Sequence, residues 1–474
     1  IMKVFDQGGN CYFDYLIAAI EDAITLGVDC ANLSLGLSSG PYYYEGVTEV
    51  YDAATAAGIS VCVSAGNDGF TGIESLWGDE QIKSTSVSSG TLGMPGTFDS
   101  VLTVASAENE GVKWFFATGV LGWYNKRQGS DQYMNVSEIE NVPEGKGFYE
   151  NLRPTEDLVG GTYGYTESIK NSNGQIVYVP FEGGNGDSII AAAKAAGAAG
   201  VVFYDPTPAE EAEWDYVDVE LTSFDVPAAR ANLTEFEWMK ANNDTGTVSV
   251  KADWNRNNAA GEMSSFSSWG PTEGLSLKPE ITGIGGNVFS AYYGEYFAVA
   301  SGTSMSSPAV AASMALLRQY LKTTSIPEED YAKVANCLLM STATPIVDEA
   351  NGTYYFVRRQ GAGLANIGNA VKSGAYIAVE GTDKAKLELG DDAEKTGKYE
   401  MKFSVVNFSK EAKTYALSLQ GLGQAAEGGL VKGGKVTYLT QNYAKKLDAT
   451  YTTSLNGNEL TVPAGATAQV TVTL

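Results

Sequence analysis

The sequence alternates between strand-like and helix-like segments over its first 125 residues, and this alternation constrains the fold more than any other feature. Apolar residues at helical spacing predict a helix over 12–26 that ends at Gly27. The apolar run 59–65 predicts a buried strand, and the run 101–105 predicts another. Strands that alternate with helices favour an α/β fold, in which helices cover both faces of a mostly parallel sheet.

This pattern is interrupted between about residues 126 and 256 and resumes afterwards. The interrupting stretch has a small α/β pattern of its own, with an Ala-rich helix over 189–199 followed by a strand over 200–204. Beyond residue 376, short runs of alternating polar and apolar residues predict an antiparallel β-sandwich. The sequence therefore predicts three domains. One α/β domain is formed by two halves, 1–125 and 257–375; the insert covers 126–256 and the β-sandwich covers 376–474.

Composition excludes several classes of function. The chain has 31 Lys and Arg residues against 57 Asp and Glu residues, and its net charge of −26 would repel the phosphates of a nucleic acid. No apolar run reaches the roughly 18 residues of a membrane-spanning helix, so no membrane span is predicted. The sequence contains no histidine, so any reaction that needs an imidazole must take it from outside this chain.

The four cysteines, Cys11, Cys30, Cys62 and Cys337, have a spacing that fits neither a zinc site nor a disulfide scaffold. Cys30 and Cys62 lie in or beside apolar runs, and buried free thiols are expected. The acidic pairs Glu210-Glu211 and Asp391-Asp392 belong to no calcium-binding loop pattern and are expected to be solvated surface. No metal site or cofactor is identified, and calcium stays open.

The strongest chemical signal is the heptapeptide Gly302-Thr303-Ser304-Met305-Ser306-Ser307-Pro308, which opens an apolar helix predicted to run to about residue 321. The glycine lets the backbone bend and lets a substrate approach closely. Free N–H groups and the dipole at the start of a helix favour negative charge beside Ser304, as the oxyanion formed by a serine nucleophile requires. The alternative interpretation is a helix cap, where Ser and Thr are common.

Two further segments lie at the ends of predicted strands. Asn67, in Ser64-Ala65-Gly66-Asn67-Asp68-Gly69, is placed where sites in open α/β sheets lie, and its amide could donate a hydrogen bond to an oxyanion. A simple turn is the alternative interpretation of this segment. An extended substrate could pair with the backbone of Ser34-Leu35-Gly36, although a plain strand end is the simpler interpretation.

Together these three segments resemble the subtilisin-like serine proteases, or subtilases. The resemblance implies that Ser304 is the nucleophile, and that Asn67 and the Ser304 backbone N–H form the oxyanion hole. It also implies a set of substrate-binding residues that line the substrate strand, the wall of the primary specificity pocket and the nucleophile turn, namely Ser34, Leu35, Gly36, Ala65, Gly66 and Thr303.

The resemblance is sharpest towards the lactocepin-like cell-envelope proteinases, in the segments beginning at Phe266, Lys278, Gly285 and Arg359. That group carries a protease-associated (PA) insert at this place and a fibronectin type III-like domain after the catalytic one. The insert, with Ala195-Ala196-Gly197-Ala198-Ala199-Gly200-Val201-Val202, resembles a PA domain. The resemblance therefore implies an extracellular or cell-wall-associated endopeptidase that takes peptide or protein substrates and forms an acyl-enzyme on Ser304.

The sequence departs from the family pattern in two respects. The motifs with the catalytic Asp and His, which the family places ahead of the strand predicted at residues 1–5, are absent, and Gly283-Ile284-Gly285 stands where the family usually has Ala-Pro-Gly. We expect an N-terminal fragment of the same precursor to carry the Asp and His, and we expect this chain to be inactive without it. A catalytically dead subtilase-like protein that binds peptides or acts in adhesion remains the alternative.

Overall fold

The chain folds into two compact units in the computed structural model. The first comprises Ile1–Glu108, Gly261–Gly286 and Ser301–Leu474, and the second comprises Asn109–Ala260 and Asn287–Ala300. The structure describes residues 1–6, 8, 10–37, 46–69, 90–118, 146–151, 158, 160–181, 183–206, 219, 225–231, 233, 236–237, 240, 246–256, 259–292, 296–426, 431–432, 435–436 and 442–474.

The described helices and strands are numbered in chain order. The helices are α1 Phe13–Leu26, α2 Val47–Ala56, α3 Gly186–Ala195, α4 Thr303–Leu321, α5 Tyr331–Ser341, α6 Val357–Gln360 and α7 Ile367–Ser373. The strands of the first half are β1 Cys30–Leu33, β2 Ser60–Ser64, β3 Leu102–Glu108, β4 Gly111–Thr118, β5 Lys146–Asn151, β6 Thr162–Thr166, β7 Ile176–Pro180, β8 Gly200–Tyr204, β9 Ala228–Ala231, β10 Thr247–Arg256, β11 Ile281–Gly286, β12 Val288–Tyr292 and β13 Tyr296–Ala300. The remaining strands are β14 Val347–Asp348, β15 Thr353–Tyr354, β16 Ala375–Ala378, β17 Glu400–Asn407, β18 Lys413–Ala416, β19 Gly421–Ala426, β20 Val431–Lys432, β21 Lys435–Val436, β22 Asn442–Leu447, β23 Thr452–Thr453, β24 Glu459–Val462 and β25 Thr467–Thr473.

A parallel sheet in the order β1-β2-β3-β11 forms the centre of the first unit. On β2, Val61 and Val63 pack with α1 and α2, whereas Cys62 packs on the opposite face with α4 and α5. Every residue of β2 is buried, as expected for a strand covered by helices on both faces. Burial of each large apolar side chain contributes about 1.5–3 kcal/mol. The predicted α/β class is confirmed.

The ends of several elements differ from the predicted ones for local reasons. Helix α1 ends at Gly27, as predicted, because that glycine adopts φ = 65°. Helix α3 begins at Gly186 rather than near 189, since the Asn185 side chain accepts from the N–H groups of Asp187 and Ser188 and caps it. Residues 1–5, predicted as a strand, do not form one, and within them only Phe5 forms an isolated bridge, to Cys11.

The second unit is a closed barrel of seven strands in the order β10-β4-β5-β9-β8-β7-β6, closed by pairing between β10 and β6. Alternate residues of β7 and β8, including Val177 and Phe203, pack against Ile190 and Ala193 of α3. Residues of β7 and β8 that alternate with these belong to a separate hydrophobic cluster that also contains Phe236. The unit extends on both sides of 126–256, because it also includes β4 and the β12–β13 hairpin.

The last hundred residues form antiparallel sheets that belong to the first unit. The largest has the order β16-β17-β25-β23, and β18–β24 and β19–β22 form separate pairs. The amide of the buried Asn407 donates to the carbonyl oxygens of Glu411, Val462 and Pro463 at 2.8, 3.0 and 3.0 Å. Ala444 and Leu422 pack with Trp269 and Phe356, so these sheets share a core with the rest of the unit.

The cysteines differ in their exposure. All four are free, and the expected burial holds fully for Cys62 and Cys337, only partly for Cys30, and not for the exposed Cys11. Burial raises the pKa of Cys30 to about 11 and that of Cys337 to about 12, so neither is a thiolate at neutral pH. None of the helices in the described ranges combines the length and the apolar character needed to cross a membrane.

Candidate active site

Helix α4 presents Ser304 at its first turn because the preceding backbone is held close to β11. The N–H of Gly302 donates to the carbonyl oxygen of Gly285 at 2.9 Å. A Cβ atom on Gly285 would lie 2.5 Å from the Gly302 oxygen, and one on Gly283 would lie 2.8 Å from the Ser306 oxygen. The two glycines of Gly283-Ile284-Gly285 therefore allow the start of α4 to approach the strand, and Ser304 remains partly exposed.

The side chain of Asn67 is oriented by Thr303. Its Oδ1 atom accepts from the Thr303 backbone N–H at 2.9 Å and from the Thr303 hydroxyl at 3.0 Å. Since the Thr303 N–H can only donate, the amide must face it with its oxygen, which leaves the Asn67 Nδ2 donor for another acceptor. That donor lies beside the turn before Ser304, because a Cβ on Gly302 would be 3.4 Å from it.

Thr303 itself is only 1% exposed, and its hydroxyl also accepts from the Gly66 N–H at 3.1 Å. The hydroxyl therefore links the loop that follows β2 to the helix that carries Ser304. In this structure the Thr303 side chain contacts Asn67 and Gly66, which are themselves predicted site residues.

Ser34 contacts the turn that carries Ser304 through an unusual acceptor. Its hydroxyl donates to the backbone carbonyl oxygen of Ser304 at 2.8 Å. In an α-helix that carbonyl would accept from the N–H four residues later, but residue 308 is proline and has no N–H. Pro308 therefore leaves the Ser304 carbonyl free for Ser34, and the hydrogen bond joins the predicted substrate strand to α4.

Two residues that sequence reasoning did not single out extend this connection. The Ser307 hydroxyl donates to Asn32 Oδ1 at 2.7 Å, and Asn32 Nδ2 donates to the Ser34 hydroxyl at 3.1 Å. Ser307 lies within the heptapeptide, and Asn32 lies two residues before Ser34, but neither position suggests this pairing. It depends on the packing of α4 on β1, which are far apart in sequence.

The other predicted site residues lie at the same edge of the sheet. Ala65 is fully buried, and its carbonyl oxygen accepts from the Gly93 N–H at 3.2 Å. Leu35 is half-buried, and Gly36 runs so close to the next segment that a Cβ on it would lie 2.9 Å from the Met94 oxygen. The structure thus brings 34–36, 65–67 and 303–304 together at the carboxyl ends of β1 and β2.

No group suited to act as a base for Ser304 is found among the described residues. No side chain in the described part of the chain hydrogen-bonds the Ser304 hydroxyl, and the chain has no histidine. Burial lowers the pKa of Lys278 to about 8, against the opposing effect of Glu280, but its ammonium lies elsewhere. It donates to Val101 O at 2.9 Å and Thr103 Oγ1 at 3.0 Å, at the amino end of β3, opposite the Ser304 edge.

The described residues also contain no group of three or more His, Cys, Asp or Glu side chains that could hold a metal ion. Of the acidic pairs considered in the sequence, Glu210-Glu211 lies outside the described residues. Asp392 accepts from the N–H groups of Thr396 and Gly397 at 3.0 and 2.6 Å, and these bonds lower the pKa of its exposed carboxyl group. Its carboxylate therefore closes a local turn.

Comparison with known proteins gives the class of this fold and site. The profile of the subtilase family matches residues 1–363, and the chain belongs to this family. It is 28% identical over 505 residues to the PII-type proteinase of Lacticaseibacillus paracasei, covering 100% of this chain and 25% of the relative. It is 29% identical over 466 residues to the C5a peptidase of Streptococcus pyogenes serotype M3 (strain ATCC BAA-595 / MGAS315), covering 96% of this chain and 36% of the relative.

The chain thus spans between a quarter and about a third of the length of these relatives. Among solved structures, the patellamide maturation protease PatA matches with a TM-score of 0.37 and 14% identity, over 78% of this chain and 72% of the other. The predicted family resemblance is confirmed by the match that covers residues 1–363.

Proposed function

We propose that this chain is the nucleophile-bearing part of a serine endopeptidase. The observation that carries the proposal is the orientation of the Asn67 side chain. Thr303 donates two hydrogen bonds to Asn67 Oδ1, so the Asn67 Nδ2 donor faces the turn that carries Ser304. In the proposed reaction the Ser304 hydroxyl attacks the carbonyl carbon of the scissile peptide bond. The Ser304 N–H and Asn67 Nδ2 stabilise the oxyanion, the amine leaves, and water hydrolyses the acyl-enzyme.

The base for this reaction comes from outside the chain in our proposal. The Ser304 proton passes to a histidine, which an aspartate orients, and both belong to an N-terminal segment or fragment of the same precursor. The sheet supports this arrangement, because β1 pairs only with β2 among the described residues and its other edge is open to a further strand. Substrate backbone would lie along Ser34-Leu35-Gly36, with Ala65 and Gly66 at the primary pocket.

We further propose that the protein acts outside the cell or at the cell wall. The segments shared with cell-envelope proteinases support this location. The barrel unit with α3 is proposed to be a PA-type domain that governs the access of protein substrates. The antiparallel sheets from 376 to 474 are proposed to be a fibronectin type III-like domain.

An active-site probe tests the proposal in the full-length protein. A fluorophosphonate should label Ser304 and stop peptide cleavage, whereas the S304A variant should neither react nor cleave. Ser313, whose hydroxyl donates to the Ala309 carbonyl on the same helix, provides the control, and S313A should label and cleave normally. Cleavage that survives in S304A would refute the proposal.

The second candidate is a subtilase-like protein that binds peptides without cutting them, or that acts in adhesion. The absence of histidine from these 474 residues is the observation in its favour. A full-length protein that binds peptides but leaves the fluorophosphonate unreacted would support this candidate over the endopeptidase.

A further inference from the structure

We propose that Ser268 is a positioning residue for Asn67, holding the two peptide units that flank it. The proposal rests on the proposed function, in which Asn67 Nδ2 binds the oxyanion. Ser268 touches no reacting atom in this scheme. Its role is to fix the backbone from which the Asn67 side chain extends.

Ser268 binds both neighbours of Asn67. Its backbone N–H donates to the Gly66 carbonyl oxygen at 3.0 Å, and its hydroxyl accepts from the Asp68 N–H at 2.9 Å. The pairing continues one residue further, where the Gly69 N–H donates to the Phe266 carbonyl oxygen at 2.9 Å. Ser268 is completely buried, so water does not compete for its hydroxyl.

The loop that carries Asn67 packs tightly against Ser268. Gly66 adopts φ = 105°, and a Cβ atom there would lie 2.8 Å from the Ser268 hydroxyl oxygen. On its other side the Gly66 N–H is bound by the Thr303 hydroxyl. The backbone before Asn67 is therefore held from two directions, by Thr303 and by Ser268, while the backbone after it is held by the Ser268 hydroxyl.

This arrangement has a consequence for catalysis. Thr303 fixes the oxygen end of the Asn67 amide, but the direction of Nδ2 also depends on where the Asn67 Cα atom lies. If the Ser268 hydroxyl is removed, the Asp68 N–H loses this acceptor, and the peptide between Asn67 and Asp68 can shift. A displacement of about 1 Å in such a donor is enough to lower a rate up to roughly 10²-fold.

The neighbouring residue provides a matched control. Ser267 is also completely buried, and its hydroxyl also accepts a backbone N–H, that of Ser106 in β3, at 3.0 Å. S267A and S268A therefore remove the same kind of buried hydrogen bond. They differ in the segment released, which is the central sheet for Ser267 and the Asn67 loop for Ser268.

A double-mutant cycle in the full-length protein tests the proposal, with kcat and KM measured on one peptide for S268A, N67A, S268A/N67A and S267A. We expect S268A to lower kcat about tenfold with KM unchanged within about twofold, since the donor acts mainly in the transition state. In the N67A background S268A should have no further effect on kcat. S267A should leave kcat unchanged in both backgrounds.

If the effects of S268A and N67A on kcat multiply, or if S267A lowers kcat as much as S268A does, the positioning role is wrong. Should S268A fail to fold, S268C replaces the hydroxyl oxygen with a slightly larger sulfur atom that is a weaker acceptor, and it should lower kcat to an intermediate value, while an unchanged kcat would also overturn the proposal. S304A is measured in the same series. Cleavage by S304A would refute the proposed function instead.

Discussion

The hydrogen bond from Ser34 to the Ser304 carbonyl exists because residue 308 cannot supply an N–H. We expect S34A to lower kcat/KM by about threefold to tenfold, because the loss of one such bond costs about 0.5–1.5 kcal/mol. In P308A the restored N–H of residue 308 can bind the Ser304 carbonyl within α4. Adding S34A to P308A should therefore cost clearly less than adding it to the natural sequence.

Peptide kinetics of S34A, P308A and S34A/P308A in the full-length protein measure this coupling. S313A, on the same helix but bound only within it, is the control and should match the natural protein. Equal losses from S34A in both backgrounds would show that the Ser304 carbonyl is not the point at which Ser34 acts.

The Asn67 amide gives a second prediction at the residue scale. N67A removes the Nδ2 donor and should lower kcat by about 10²–10³-fold while KM changes little, because the donor binds charge that develops in the transition state. Steady-state kinetics of the full-length protein provide the test. A kcat within threefold of the natural value would contradict the assignment of Asn67 to the oxyanion hole.

At the scale of elements, a buried ion cluster joins β11 to the segment after β16. Glu280 is fully buried, and its Oε1 atom lies 3.0 Å from both the Lys278 and the Lys386 ammonium groups. E280Q leaves two ammonium groups without this carboxylate and should lower the free energy of unfolding by about 3–5 kcal/mol. E388Q, which removes the half-exposed partner of Lys386, should cost about 0–1 kcal/mol and serves as the control in urea unfolding.

The same cluster predicts how stability depends on acid. Burial alone would raise the pKa of Glu280, but Lys278 and Lys386 lower it more strongly, so the pKa lies below the usual 4.5. A carboxyl group with a lowered pKa stabilises the fold above pH 4.5, and this contribution is lost as the pH falls from there through the folded-state pKa. Urea unfolding from pH 6 to pH 3 should therefore show a weaker acid dependence in E280Q than in the natural protein. Equal slopes would contradict this.

The central elements could be predicted from the sequence because each is specified locally. Periodicity located α1, β2 and α4, and Gly27 marked the end of α1. The contacts that assemble the site could not be predicted in this way. Whether Lys386 reaches Glu280, or Ser307 reaches Asn32, depends on tertiary packing between segments that are far apart in the chain.

The candidate site was partly predictable for the same reason. The types and local contexts of Ser304 and Asn67 indicated an oxyanion site, the position of Ser34-Leu35-Gly36 indicated a substrate strand, and the family resemblance added Thr303. The sequence held no signal that the Thr303 hydroxyl is buried against Asn67, since burial depends on how α4 lies against the loop after β2.

At the scale of the whole molecule, the chain leaves and re-enters the first unit through hydrogen-bonded backbone pairs. The Glu108 N–H donates to Glu262 O at 2.9 Å, and the Gly261 N–H donates to Glu108 O at 3.2 Å. Residues 110–260, which hold all seven strands of the barrel but not the β12–β13 hairpin, can therefore be replaced by a short Gly/Ser linker without stretching the first unit. We expect this variant, in the full-length protein, to unfold cooperatively and to cleave short peptides, but to cleave proteins more slowly.

Thermal unfolding and the ratio of peptide to protein cleavage measure the effect of this replacement. A variant with the same linker inserted at Gly390, an exposed position outside the helices and strands with φ = 70°, controls for the linker itself. Equal loss of activity on peptides and on proteins would contradict a role for the barrel unit in substrate access.

The contacts that build the site span long stretches of sequence: 200 residues separate Asp68 from Ser268, 236 separate Asn67 from Thr303, and 270 separate Ser34 from Ser304. Closing a loop of this length costs conformational entropy before the contact that closes it can stabilise the fold. Contacts between residues far apart in sequence therefore slow folding. We therefore expect these contacts to form late, after the sheet and its helices. During synthesis Ser34 and Asn67 are made long before Thr303 and Ser304, so both would lack these contacts until the start of α4 has been made.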